Sequence, residues 1–151
     1  MMKRRAILAV LAAVAAAPAH AEDWRFVAST AGAAHYIDAD SIVADGSVRD
    51  LTSFMGYQDA LPNTEPKNTY YVEMRMKIDC DGRKQANVRG SAFGLDHKLR
   101  ATAELPVSFR PVQPQTAAAH YLDFVCTADR TRYDKVDDPF IATDIRFNRG
   151  G

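Results

Sequence analysis

Cysteine and long apolar runs are both scarce in this chain. Of its 151 residues only Cys80 and Cys126 carry a thiol. Forty-five residues lie between them, so there is no C-x-x-C redox pair, and a zinc site would need about four close ligands. The longest uncharged apolar stretch, Ala6 to Ala17, falls short of the roughly 20 residues a bilayer-spanning helix requires. Signatures of catalysis are missing too. There is no H-E-x-x-H run, no G-x-S-x-G elbow and no glycine-rich phosphate loop. His35, His97 and His120 lie far apart in the sequence and read as solvated or core-edge side chains. Without a visible nucleophile–base pair, the expectation is a non-catalytic protein with no metal and no cofactor.

The first residues carry an address. Lys3, Arg4 and Arg5 precede the apolar run, Pro18 breaks it, and Ala19-His20-Ala21 places small residues where a signal peptidase cuts. Cleavage after Ala21 is expected, with export to the periplasm or beyond. The residue that follows is Glu22 rather than a lipid-accepting cysteine, so no lipid anchor is expected. Three of the 19 Lys and Arg fall in residues 1–21, leaving 16 against 19 Asp and Glu, a net charge of −3. That balance argues against a nucleic-acid partner, which calls for a basic excess. Outside the cytoplasm the two cysteines most simply form one disulfide. Closing so long a loop contributes about 4 kcal/mol in the chain-entropy model.

Period-two alternation dominates residues 22–105. Trp24, Phe26 and Ala28 share a side, His35 to Ile37 forms a short strand, and Asp38 to Ser41 reads as a turn. Asp45-Gly46 signals a hairpin. Leu51, Ser53, Met55 and Tyr57 share a face, and Gly56 suggests a bulge. In the clearest strand, Tyr70 to Cys80, Val72, Met74, Met76 and Ile78 oppose Tyr71, Glu73, Arg75, Lys77 and Asp79. Ala86, Val88, Gly90 and Ala92 then alternate against Asn87, Arg89 and Ser91. Beyond Pro114, Ala118, Tyr121, Leu122 and Val125 recur at helical spacing across Gln115–Thr127. The predicted fold is α+β and mainly β: an antiparallel sheet of about six strands with one C-terminal helix on it, tied by Cys80–Cys126. Residues 129–151 read as a charged tail. There Ile141, Thr143, Ile145 and Phe147 alternate, which predicts one more edge strand or a segment that orders on a partner.

Few side chains suggest a binding surface. Arg75 and Lys77, with Arg89 on the next strand, make a small basic stripe on an otherwise acidic protein, the best candidate for a ligand-facing surface. Tyr70, Tyr71, Met74 and Met76 read as core rather than as a sticky patch. Asp38, Asp40 and Asp45 are close in sequence but lack the order of a calcium loop, and turn formation accounts for them.

Several pieces taken in order resemble the surface-adhesin protein E family. They are Trp24, then Tyr36-Ile37-Asp38 followed by Ser41-Ile42, then Asp79-Cys80, and finally Val112-Gln113-Pro114 leading to Val125-Cys126. The resemblance covers about residues 24–128, so the chain divides into a signal peptide (1–21), an adhesin-E-like domain (22–128) and the tail (129–151). It implies an antiparallel sheet joined to a C-terminal helix by the disulfide. It also implies a binding role, since members include adhesins for host matrix and serum proteins, with haem binding associated. Trp24, Tyr36, Asp38 and Ser41 carry over as structural positions; no binding residue does. The function expected is an exported module that binds a protein or small ligand at the cell envelope. The alternative is an inhibitor or accessory subunit of a cell-wall enzyme such as lysozyme.

Overall fold

A computed structural model describes residues 22–150; the expected signal segment lies outside the described residues. Strands β1 (Trp24–Thr30), β2 (Ala33–Asp45), β3 (Val48–Tyr57), β4 (Tyr71–Asp79), β5 (Lys84–Phe93) and β6 (Leu99–Glu104) form an antiparallel meander in which each pairs with the next. A short β7 (Arg110–Pro111) returns to β5. Helix α1 (Ala117–Cys126) follows, β8 (Lys135–Val136) pairs with the outer side of β1, and α2 (Pro139–Arg146) ends the fold. The sheet runs β6-β5-β4-β3-β2-β1-β8. Among the described residues no helix is long and apolar enough to cross a membrane.

The alternation in the sequence produces this sheet, and local irregularities modify it. Gly46, at φ +59°, opens the two-residue turn between the paired Asp45 and Val48. Residues Asp38–Ser41, expected to be a turn, are instead a bulge inside the long β2, whose register against β3 slips between Asp38 and Val43. Val27 is an extra residue in β1, which puts Val27 and Ala28 in one core and Trp24 in another. Val88 is likewise extra in β5: Arg75 pairs with Arg89 but Met76 with Asn87. Ala86 therefore lies opposite Lys77 and not on the side of Gly90, which faces Met74.

Helix α1 lies on the first face of the sheet. Thr116 caps it by accepting a hydrogen bond from the Ala119 amide at 3.3 Å. Tyr121, Leu122, Phe124 and Val125 then pack on Val27, Ile37, Leu51, Met76 and Ile78. Cys126, in the last turn, is bonded to Cys80 at the end of β4, with the two Cα atoms 5.7 Å apart. The expected helix and its covalent clamp are both present. Because the bridge closes a 46-position separation, Cys80→Ala/Cys126→Ala should lower the free energy of unfolding by about 4 kcal/mol, read from urea titration of the oxidised protein and the variant.

The tail is where the structure departs from the sequence reading. Phe140 to Phe147 is not an edge strand; nearly all of it is helix α2. An edge strand does exist in the tail, but it is the short β8. Asp138 accepts hydrogen bonds from the Phe140 and Ile141 amides, and Pro139 takes the first helical position, where its missing N–H is harmless. The helix covers one end of the second face. Phe140 sits edge-on to Phe54, Tyr71 and Phe93, with centroids 4.7, 5.0 and 5.2 Å away. Gly56 marks no bulge: it keeps register with Ala34 and Tyr71. Its bare Cα lets α2 approach, because a Cβ there would stand 2.7 Å from Thr143 Cβ and overlap the rest of that side chain. Thr143 is fixed by donating to the Pro139 carbonyl at 2.7 Å. Gly56→Ala should therefore destabilise the protein by about 2 kcal/mol, measured as a shift in urea midpoint at unchanged m-value.

Candidate functional site

Helix α2 covers only one end of the second face, and the other end is open and polar. Strand register builds it in rows. One row runs Asp38, Thr52, Arg75, Arg89, Glu104 across β2 to β6; the next runs Tyr36, Phe54, Glu73, Ser91, Thr102. Arg75 and Arg89 are thus direct cross-strand neighbours, a like-charge pair that is unfavourable by itself. Arg89 Nε is 3.3 Å from Glu104 Oε1. Lys77 donates to both oxygens of Asp50 at 2.8 Å. Arg75 is exposed and has no ion pair within 4.0 Å among the described residues. Glu73 beside it is half-buried; burial raises its carboxyl above the usual range, Glu22 adds to this and Arg89 opposes it. Thr52, Glu73, Arg75, Arg89, Ser91 and Phe93 line a shallow hollow of about 370 Å³. Of the three basic residues singled out in the sequence, two are neutralised in place and one is free. The arrangement suits recognition of an acidic or hydrogen-bonding surface.

The positions carried by the resemblance fall at the edge of this face and hold it together. Asp38 Oδ1 accepts from the amides of Asp23 at 2.9 Å and Asp40 at 3.1 Å. Burial nevertheless raises its carboxyl. Ser41 donates to the Asp38 carbonyl at 2.6 Å and accepts from the Thr52 amide at 2.8 Å. Its hydroxyl thereby replaces the backbone acceptor that the β2 bulge removes from the ladder. Trp24 and Tyr36 pack edge-on against Phe54, with centroids 6.0 and 6.1 Å away.

A second constellation was not foreseen in the sequence. Asp144 on α2 accepts hydrogen bonds from Tyr71 Oη and from Arg149 Nε at 3.0 Å, and lies 2.8 Å from His97 Nε2. Burial alone would raise this carboxyl, but the hydrogen bonds from Tyr71, His97 and Arg149 hold it below the ordinary range. Burial and the same carboxylate push the Tyr71 phenol up. Arg149 also donates to the carbonyls of Tyr57 and Gln58. These bonds tie α2, β4 and the β5–β6 turn together. The motif is a clasp in which Asp144 gathers Tyr71, His97 and Arg149. The three histidines do not share one centre: His97 belongs to this clasp on the second face, while His35 is buried on the first, near enough to the exposed His120 of α1 to feel its charge.

A family model described as surface-adhesin protein E matches residues 24–127. The chain belongs to that family. Two solved structures of Haemophilus influenzae protein E show the same fold at low sequence identity. Crystal form II has a TM-score of 0.53 at 16% identity, covering 69% of this chain and 87% of that one. The other has a TM-score of 0.51 at 14% identity, covering 69% and 83%. No curated protein sequence matches the chain. Helix α2 and β8 lie beyond the stretch the adhesin-E model matches, so the second-face core that they complete extends past it.

Acid sensitivity follows from the first face. His35 Nδ1 is 2.8 Å from Tyr121 Oη and Nε2 is 2.8 Å from Thr30 Oγ1. Burial, with a smaller contribution from His120, lowers its pKa from 6.5 to about 4. The unfolded chain then binds a proton at a pH where the folded chain does not. Stability is full above about pH 6.5 and falls as the pH drops towards 4, by about 3 kcal/mol. Urea titrations at pH 7.5, 5.5 and 4 should show this loss in the wild type, and His35→Gln should lack most of the step.

Proposed function

We propose that this adhesin-E protein is an exported, non-catalytic binding module that engages a protein partner at the cell envelope through the uncovered half of its second sheet face. The observation that carries the proposal is the unpaired, exposed Arg75 beside Arg89 and the half-buried Glu73, on a flat sheet surface that neither helix covers. Alternating charge of this kind selects a partner by complementarity more than by apolar area. Membership of an adhesin family supports binding over catalysis. The basic start and A-x-A site in residues 1–21 support passage across the inner membrane.

Site-specific photocrosslinking in intact cells tests the assignment. A photoreactive residue at Ser91 or Thr102 should capture a discrete partner, and one at Asp123 on α1 should not. Arg75→Glu/Arg89→Glu should weaken that capture by about tenfold or more with an unchanged melting temperature. Equal capture from Asp123, or capture indifferent to the charge reversal, would move the binding surface elsewhere.

A further inference from the structure

Five methionines occur in the chain, two of them at positions 1 and 2. The other three, Met55, Met74 and Met76, all line one cavity of about 170 Å³ between the first face of the sheet and the start of α1. Register explains the grouping. Ser53 on β3 pairs with Met74 on β4, Met55 is two residues along the same strand, and Met76 is the diagonal neighbour opposite Leu51. A small buried serine is thus surrounded by three thioethers. Ala117 and Ala118 of α1 roof the space without filling it, while Gln85, Asn87 and Tyr121 complete the wall.

The three methionines share one cavity wall, and their sulfurs are only weakly engaged. Met76 Sδ accepts from Ser53 Oγ at 3.5 Å, and Met55 Sδ accepts from Tyr57 Oη at 3.5 Å. Both are ordinary distances for a hydroxyl on a thioether, which is a weak acceptor. Met74 lies across from Gly90, and its Sδ and Cε end packs over the space a side chain there would occupy. Three unbranched thioether side chains around one cavity can turn their sulfurs toward it by rotamer changes. The lining contains no carboxylate and no charged group. A divalent hard cation would find neither the oxygen donors nor the compensating charge it needs. A monovalent soft ion needs only thioethers. No group of three or more His, Cys, Asp or Glu among the described residues is placed to hold a metal ion.

We propose that the cavity binds a soft monovalent metal ion of the Cu(I) class through the sulfurs of Met55, Met74 and Met76. The site is on the opposite face from the surface assigned to the protein partner, so it stands or falls independently of that assignment.

Silver(I) is the probe, since it shares the charge and softness of Cu(I) without its redox chemistry. The full chain, labelled with ¹³C at the methionine methyls, is titrated with silver nitrate in chloride-free buffer and followed by NMR. The methyl signals of Met55, Met74 and Met76 should shift together and saturate at one equivalent, with no matching response to Zn(II). Met74→Leu and Met55→Leu keep the side-chain volume and remove one sulfur each. Each should weaken silver binding by about tenfold or more at an unchanged melting temperature. Three outcomes would overturn the proposal: methyls that stay still or titrate separately, an equal response to Zn(II), or undiminished affinity in both leucine variants.

Discussion

The central strands are apolar on both faces at one end and on only one face at the other, and the architecture follows from this constraint. Near α2, Tyr36, Phe54 and Tyr71 point to the second face while their strand neighbours point to the first, and all three are buried. A sheet with two greasy faces needs cover on both. Helix α1 supplies it on the first face along much of its length, and α2 supplies it on the second only where the aromatics are. At the far end the second face turns to Thr52, Glu73, Arg75 and Arg89, and no cover is required. The open surface and the covered core are thus two ends of the same strands.

Attachment of the two helices uses different physics. α1 is bound covalently at its C-terminus and by an apolar stripe along its length, so its position survives local loosening. α2 is only eight residues long, too short to persist alone in water. It is held by Phe140 in the aromatic cluster, by Thr143 against Gly56, and by the Asp144 clasp. Its outward residues Ile141 and Ile145 remain 49% and 69% exposed. Burial, close approach and charge-assisted hydrogen bonding each contribute one anchor.

The strands, the disulfide and α1 were legible in the sequence because each rests on a local pattern: period two, two thiols in a chain that reads as exported, and apolar residues three and four apart. Helix α2 was not, for an instructive reason. Ile141, Thr143, Ile145 and Phe147 alternate as a strand would, and the helical face made by Phe140, Thr143 and Phe147 is diluted by polar neighbours. The available signal was Asp138-Pro139, an N-cap followed by proline at the first helical position. The bulges at Val27 and Val88 have no such marker, and Gly56 could be understood only once Thr143 was seen above it. The candidate surface was half legible. Alternation placed Arg75, Lys77 and Arg89 on one face, but Asp50, 27 positions from Lys77, and Glu104 neutralise two of them through pairings no local pattern reveals.

Helix α2 and β8 also come after every strand of the meander in chain order. A chain delivered N-terminus first presents Phe54, Tyr71 and Phe93 as a bare aromatic surface until residues 135–149 emerge to close it. Exposed surface of this kind is what draws folding intermediates into aggregates. The same late segment that shuts the second face therefore sets the moment at which the newly made molecule ceases to be a client for chaperones.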